Sequence, residues 1–402
     1  MANILIAWEL GANFGHLTRE LPIAQRLRAA GHRVLFAVRE TASAHTLLTP
    51  QGFRFVAAPT YTEHHKVAPM ANFSEMLLAL GYADAASLEG RVMAWRSLFE
   101  LTRADLVVVD HSPSALLAAR TARLRAIPIG GGFEIPPRLS PLPSIRPWTQ
   151  IAPERLARSD ERLLRCINGC LRRFKGTEPI GHVADLFDDP DRIFATFAEL
   201  DPYGMREGTT YWGPLFSSMS TTRVEWQAKD VPRIIAYLRN GTSGLSNLLK
   251  SMKTSGAEVI CVVPGVREQQ CQALSSGAFR LLSKPVDLDP LLSGADLVIH
   301  SGAGTAAQAL LAGVPVMSLP ATVEQYLQGK RVESFGAGLA IGPERTLESL
   351  SSSLSRMLSE KAYKTHAARF AERYAGFNPE QVADHAARVV DRATTESGLS
   401  VH

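Results

Sequence analysis

Short apolar runs alternate with amphipathic stretches along the first half of the chain. The apolar runs are ILIAW (4–8), VLFAV (34–38), FRFVAA (53–58) and DLVVVD (105–110), with helical patterns near 18–30 and 43–51. Continuous apolar runs of this length are typical of parallel strands that helices cover on both faces. The pattern therefore predicts a doubly wound α/β domain.

The same alternation restarts in the second half of the chain. Five strands are predicted there, at 233–238, 258–263, 279–282, 296–300 and 314–319. Helical patterns lie near 243–253, 267–276, 305–312 and 325–335, and the polar stretch from 346 to 396 is helical without further strands. We therefore expect a second α/β domain of the same kind.

The region between the two halves loses apolar periodicity. Five prolines fall within 134–150, which predicts an extended loop, and Gly, Ser, Thr and Pro dominate from 201 to 231. A chain of 402 residues also exceeds the usual size of a single core. The predicted organisation is an N-terminal Rossmann-like domain (1–205), a linker (206–231), a C-terminal Rossmann-like domain (232–380) and a C-terminal helix and tail (381–402).

Composition narrows the classes of partner. The net charge is only +4 and no basic block or RNA-binding aromatic pattern occurs, which disfavours nucleic acid as a partner. Four cysteines in this length predict packed, reduced thiols. The N-terminus lacks a basic segment followed by an apolar run, so we expect a cytoplasmic protein. The basic amphipathic stretch 154–176 fits a solvated helix face, with peripheral contact at the inner face of a membrane as the alternative.

The segment HSGAGTAAQALLAGVPVMSLPATVEQ (300–325) carries the first chemical signal. A strand ends at His300, a loop of small residues follows, and a helix then runs to Gly313. This order presents unpaired backbone N–H groups and the positive end of a helix dipole to a ligand. It predicts a phosphate site, in which His300 donates a charge-assisted hydrogen bond.

This segment resembles the nucleotide-sugar-binding signature of the UDP-glycosyltransferase superfamily, which has the GT-B fold of two Rossmann-like domains facing each other across a cleft. The resemblance implies that residues around the loop bind the diphosphate and that Glu324 and Gln325 bond sugar hydroxyls. Ser301 replaces a usual glycine, and Gln308 replaces a glutamate that commonly holds the ribose. The implied donor-binding residues are Gly241, Thr242, Lys284, Pro285, Val286, His300, Ser301, Gly302, Ala303, Gly304, Thr305, Gln308, Glu324 and Gln325.

The turn after the first strand carries the second signal. His16 falls at the start of a helix, at the carboxyl end of the predicted sheet, where open α/β folds bind ligands. An imidazole there suits removal of a proton from an acceptor hydroxyl, and the helix dipole would lower its pKa. Asp110 closes a strand of the same sheet and either orients His16 or caps the helix near Ser112. Glu9 and Glu20 are alternative partners for His16.

The resemblance implies an inverting glycosyltransferase in which His16 is the base and Asp110 its partner. The expected partners are a nucleotide-sugar donor, with UDP or dTDP as the nucleotide, and a small-molecule or lipid acceptor bound by the loops of 60–100 and the proline-rich stretch. No cofactor and no metal are expected, and the acidic cluster 185–191 is assigned to turns. A nucleotide-sugar epimerase or hydrolase, or a catalytically silent binding partner, are the alternatives.

Overall fold

The structure, a computed structural model, describes residues 1–12, 14–62, 69–217 and 222–399. Parts of the predicted acceptor loop (63–68), of the linker (218–221) and of the tail (400–402) lie outside these residues. The described residues form two compact units. The first unit comprises the described residues of Met1–Ser217 and of Asn378–His402. The second unit comprises the described residues of Ser218–Phe377.

The N-terminal unit is built on one parallel sheet of six strands in the order β3-β2-β1-β4-β5-β6. Its strands are β1 (Asn3–Trp8), β2 (Arg33–Val38), β3 (Arg54–Ala57), β4 (Leu106–Asp110), β5 (Arg125–Gly130) and β6 (Ile193–Phe194). Its helices before the linker are α1 (Gly15–Ala29), α2 (Thr41–Leu48), α3 (Phe73–Leu77), α4 (Ala85–Thr102), α5 (Pro113–Ala122) and α6 (Pro153–Leu171).

The C-terminal unit repeats this architecture with a parallel sheet in the order β12-β11-β10-β7-β8-β9. Its strands are β7 (Arg233–Tyr237), β8 (Glu258–Val262), β9 (Phe279–Leu282), β10 (Leu297–His300), β11 (Val316–Ser318) and β12 (Gly338–Ala340). Its helices are α7 (Leu245–Lys253), α8 (Glu268–Leu274), α9 (Asp289–Leu292), α10 (Ala303–Leu311), α11 (Val323–Ser334), α12 (Leu347–Ser359) and α13 (Lys361–Arg373).

The apolar runs occupy the sheet centres, as their composition requires. Every residue of β4 is buried, and so is every residue of β8, because helices cover both faces of these strands. The predicted doubly wound α/β fold is confirmed. In each sheet the first strand pairs with the fourth, β1 with β4 and β7 with β10, which brings the loops after them to one edge.

The stretch RIFATF (192–197) is also predicted as a strand and contains β6, but two other strands are absent from the sequence-based prediction. β5 escapes it because its sequence, RAIPIG, contains Pro128, which has no N–H and lowers the strand signal. The prediction of five strands in the second unit was wrong, because the sixth, β12, has only the three residues Gly338–Ala340. Its glycine and alanine give little apolar periodicity.

The last helix, α14 (Pro379–Leu399), packs on the N-terminal unit. Arg26 of α1 pairs with Glu380 and Asp384 of α14. His32 is also tied to this helix, since its Nε2 lies 2.9 Å from Asp391 Oδ1. The first unit is therefore assembled from two separate parts of the chain. None of the helices in the described ranges combines the length and the apolarity that crossing a bilayer requires.

Candidate active site

His16 and Asp110 form a buried pair in the N-terminal unit. Asp110 is the last residue of β4, and His16 lies in the first turn of α1, which follows the adjacent strand β1. The Nδ1 atom of His16 lies 3.0 Å from Oδ2 of Asp110, and the carboxylate is fully buried. The two residues predicted to act together are thus brought into hydrogen-bonding contact.

Arg19 extends this pair into a charged network. One turn along α1, its guanidinium donates to Asp110 Oδ1 at 3.0 Å and to Glu134 Oε1 at 2.8 Å. His16, Asp110 and Glu134 also bring one possible metal-ligand atom each within 4.8 Å of one another. Because Arg19 already bonds both carboxylates, a guanidinium supplies the positive charge that this acidic pair requires.

The charges of this network set the ionisation of the pair. Burial alone would raise the pKa of Asp110, but Arg19 and then His16 lower it to about 2. Burial alone would lower the pKa of His16, yet the Asp110 carboxylate outweighs this and the pKa is raised. The expectation that the helix dipole lowers the pKa of His16 is wrong, because the adjacent carboxylate is the stronger influence.

The alternative partners of His16 have other roles. Glu9 accepts hydrogen bonds from the backbone N–H and the hydroxyl of Ser114, at 3.0 and 2.8 Å, and so caps the start of α5. Burial raises the pKa of Glu9 to about 7. Glu20 is buried as well, and its burial together with the nearby Asp110 carboxylate raises the pKa of Glu20 well above its usual range. Asp110 is therefore the carboxylate on His16, and Glu9 is the helix cap.

Sequence reasoning missed three neighbours of this pair. The Trp8 ring stacks on His16 with ring centroids 5.2 Å apart. His111 has a φ of 46°, which places its imidazole 5.8 Å from that of His16. Gly11 lies against the His16 ring. The one available signal was position, since all three follow or end the strands that carry the predicted pair.

His300 and Ser301 occupy the predicted place in the C-terminal unit. His300 ends β10, Gly302 is the N-cap of α10, and Ala303, Gly304 and Thr305 form the first helical turn. Both imidazole nitrogens of His300 and the hydroxyl of Ser301 are buried without a hydrogen-bond partner within the described residues. Unpaired buried polar groups of this kind are costly unless a ligand satisfies them.

Burial determines the ionisation of His300. Burial lowers the pKa of His300 to about 4, an effect that the backbone of Gly302 opposes only in part. The imidazole is therefore neutral near pH 7. A bond from its neutral N–H to an anion would still be charge-assisted, but the charge would come from the anion alone.

Other predicted donor-binding residues lie at the same edge of this sheet. Gly241, with a φ of 85°, and Thr242 form the turn after β7. Val286 is buried and forms a parallel β-bridge with Thr222, in which the carbonyl of the adjacent Pro285 accepts the Thr222 N–H. Lys284 is exposed. This bridge leaves the N–H and C=O of Val286 facing away from Thr222.

The remaining predicted residues lie on helices. Gln308 is half-buried on α10, and Glu324 and Gln325 begin α11. The Gln325 side-chain oxygen accepts the Ala321 N–H at 2.8 Å, while its backbone N–H donates to the Thr322 hydroxyl. Gln325 is thus also part of the helix cap, a role that sequence reasoning missed.

Comparison with known proteins finds similarity in the second half of the chain and along most of its length. Residues 246–389 match the family described as erythromycin biosynthesis protein CIII-like, C-terminal domain. A PGL/p-HBAD biosynthesis rhamnosyltransferase of Mycobacterium bovis (strain BCG / Pasteur 1173P2) is 28% identical over 378 residues, covering 89% of this chain and 81% of that protein. A PGL/p-HBAD biosynthesis glycosyltransferase of Mycobacterium tuberculosis is 28% identical, covering 90% and 86%.

Solved structures extend the similarity over nearly the whole chain. The spinosyn rhamnosyltransferase SpnG has a TM-score of 0.66 at 15% identity, with 96% of this chain and 99% of that chain covered. The glycosyltransferase SsfS6 of Streptomyces sp. SF2575 has a TM-score of 0.63 at 20% identity, with the same shares covered.

The chain has two parallel six-stranded sheets with flanking helices, it matches the fold of the similar solved structures, and its curated relatives are glycosyltransferases. It is therefore a glycosyltransferase with the GT-B fold. Its similarities are to the UDP-glycosyltransferase-like superfamily of bacterial glycosyltransferases, and they support transfer of a sugar from a nucleotide sugar.

Proposed function

We propose that the protein is an inverting glycosyltransferase in which His16 is the general base and Asp110 orients it. The donor is a UDP- or dTDP-sugar, and the acceptor is a hydroxyl of a small, apolar molecule. The contact that carries the proposal is the 3.0 Å hydrogen bond between His16 Nδ1 and the fully buried Asp110 carboxylate. Such a bond leaves Nε2 of the same imidazole as the proton acceptor.

The reaction follows from this arrangement. His16 Nε2 accepts the proton of the acceptor hydroxyl as its oxygen attacks the anomeric carbon of the donor sugar. The bond from that carbon to the diphosphate breaks on the opposite face, so the configuration inverts and the nucleoside diphosphate leaves. Asp110 stabilises the imidazolium that forms, and its low pKa keeps it ionised throughout.

The donor site is supported by the start of α10. Its first-turn N–H groups, with the unpartnered imidazole of His300 beside them, suit a diphosphate without a metal cofactor. SpnG, which is similar in fold, is known in complex with thymidine diphosphate. The N–H and C=O of Val286 are the groups proposed to pair with the base of the nucleotide.

An apolar acceptor is supported by the surroundings of His16. The His111 ring lies 5.8 Å from that of His16 and is itself 5.9 Å from the ring of Phe133 and 6.5 Å from that of Phe73, so an aromatic cluster lies beyond the nearest neighbour of the proposed base. SpnG has also been determined with spinosyn aglycone. Together with the mycobacterial relatives named for PGL/p-HBAD biosynthesis, this favours a hydroxyl group on a hydrophobic acceptor molecule.

The test is a product analysis with matched histidine variants. Wild type is incubated with dTDP-rhamnose or UDP-glucose and phenolic or polyketide acceptors, and the anomeric configuration is read by NMR. We expect inverted product from wild type and a rate lowered by about 10²–10⁴-fold in His16→Ala. His45→Ala, on the exposed face of α2, is the matched control and should retain activity. Retained configuration, or full activity in His16→Ala, would refute the mechanism.

A further inference from the structure

Arg345 is a buried cation in the C-terminal unit, between β12 and α12. Its side chain is bound by backbone oxygens of three different segments, and the residue is 8% exposed. Nε donates to Gly342 at 3.1 Å, one terminal nitrogen donates to Ser243 at 3.1 Å, and the other donates to Pro320 at 2.6 Å. A guanidinium has five N–H donors, so these bonds leave two of them for other partners.

The charge of Arg345 has no acidic partner in the described parts of the chain. In the N-terminal unit, by contrast, the half-buried Arg19 pairs with Asp110 and Glu134, and the buried Arg91 pairs with Glu9. Burial alone accounts for the lowered pKa of Arg345, and no carboxylate opposes it. A buried cation without a counter-ion is unfavourable. The presence of this guanidinium therefore points to an anion that is supplied from outside the chain.

The three segments lie at the edge of the sheet that holds His300. Ser243 follows β7 and Pro320 follows β11, and these two strands are the neighbours of β10 on either side. By bonding both loops, Arg345 holds together the segments that flank the His300 loop. Its positive charge is therefore placed at the same edge as the start of α10.

The local backbone is built to admit this side chain. Gly244, the N-cap of α7, has a φ of 74°, and a Cβ atom there would lie 2.5 Å from Cβ of Arg345. Asn247 also donates its side-chain amide to the Arg345 carbonyl at 3.0 Å. Glycine at 244 is thus required both by its backbone conformation and by the packing of Arg345.

We propose that Arg345 is a specificity residue of the donor site, whose positive charge selects nucleoside diphosphates over monophosphates and nucleosides. The proposal rests on the proposed donor function of the C-terminal unit. The diphosphate is the counter-ion that the chain itself lacks among its described residues. Through its bonds to the Ser243 and Pro320 carbonyls, Arg345 also fixes the two loops beside the phosphates.

The experiment measures binding by isothermal titration to the full-length protein. UDP, UMP and uridine are compared with TDP, TMP and thymidine, and the nucleotide that binds wild type more tightly is carried forward. Arg345→Gln keeps hydrogen-bond donors without the charge, and Arg345→Lys keeps the charge without the planar fork. Arg356→Met, an exposed position on α12, is the control for arginine loss in the same unit. Thermal unfolding of each variant is recorded in parallel.

We expect Arg345→Gln to lower diphosphate affinity by at least tenfold while nucleoside affinity changes less than twofold, with Arg345→Lys between wild type and Gln. The salt dependence of diphosphate binding should also weaken in Arg345→Gln. An equal loss for diphosphate and nucleoside would show a purely structural role and overturn the proposal, as would unchanged diphosphate affinity. If wild type binds no nucleoside diphosphate, the donor function fails first, and the role of Arg345 fails with it.

Discussion

Gly11 lies so close to His16 that a Cβ atom on residue 11 would come within 3.0 Å of the imidazole Nε2. Gly11 also has a φ of 85°, in the left-handed region that favours glycine. The residue thus gives the proposed base the space that a larger side chain would occupy.

Gly11→Ala is therefore expected to displace the imidazole and to lower kcat by more than about 10²-fold, since small misplacements of a reacting group are costly. Steady-state kinetics would show this. Gly15→Ala, where a Cβ meets nothing within 4 Å, is the control and should keep wild-type kcat. Equal activity in the two variants would mean that the His16 ring tolerates the added methyl group.

The pH dependence of the reaction should report the His16 and Asp110 pair. Because the pKa of His16 is raised and the neutral imidazole is the active form, kcat/KM rises as the pH passes through that raised pKa. Asp110→Asn removes the negative charge, so the acidic limb of the profile should move to lower pH. His111, whose burial lowers its pKa to about 4, does not titrate in this range.

Asp110→Asn should also change how the stability of the protein depends on pH. A folded-state pKa above the unfolded value of about 6.5 stabilises the fold below that value, and this contribution is lost as the pH rises through the folded pKa. Asp110→Asn should therefore lose more stability at pH 6 than at pH 9 in chemical denaturation. A larger loss at pH 9 would contradict the raised pKa of His16.

Burial of Glu9 should make stability depend on pH separately from the His16 and Asp110 pair. Its pKa is raised by burial to about 7 in the folded state, so the folded protein holds a proton that the unfolded chain releases near pH 4.5. Stability from this group falls as the pH rises between those values, by up to about 3 kcal/mol. Glu9→Gln should remove this slope. In unfolding curves at pH 5.5 and pH 8, wild type should therefore lose more stability between the two pH values than Glu9→Gln does.

Gly338 is a position at which an added side chain should destabilise the second sheet. A Cβ atom there would come within 3.0 Å of the Val316 carbonyl oxygen on the adjacent strand. Gly338→Ala should cost about 1–3 kcal/mol of unfolding free energy through overpacking. Gly342→Ala, where a Cβ meets nothing within 4 Å, is the matched control. Denaturant midpoints that agree for the two variants would exclude this close approach of β12 to β11.

Glu324 and Gln325 should respond differently to truncation. Gln325→Ala removes the side chain that accepts the Ala321 N–H, so it should lower the stability of α11 by about 1 kcal/mol as well as donor affinity. Glu324→Ala should lower affinity for the sugar nucleotide but leave affinity for the nucleoside diphosphate unchanged, because Glu324 is proposed to bond the sugar and not the diphosphate. Titration with both ligands, and thermal unfolding of each variant, separate the two effects.

The strongly apolar strands and their following loops are predictable from the sequence. ILIAW and DLVVVD must be buried on both faces, and parallel strands bring their carboxyl ends to one edge. Hydrophobic periodicity therefore places His16 and Asp110 at the same edge of the sheet, although it does not choose between Asp110, Glu9 and Glu20 as the partner of His16. The same logic places His300 at the start of α10.

What the sequence could not supply was the identity of long-range partners. Arg19 bonds Glu134, which lies 115 positions further along the chain, and Arg345 bonds a loop 102 positions away. Local periodicity carries no signal for such pairs. The wrong prediction for the pKa of His16 has the same origin, since the helix dipole is local while the carboxylate arrives from another strand.

The position of α14 has a consequence for how this protein is made and redesigned. Its ion pairs with Arg26 and His32 mean that the second unit is inserted within the first, so ribosomal synthesis delivers the final piece of the N-terminal unit only after the whole C-terminal unit. A chimera that exchanges C-terminal units therefore needs two crossover points, one before residue 218 and one near 378. A single junction in the linker would leave α14 of one parent facing α1 of the other.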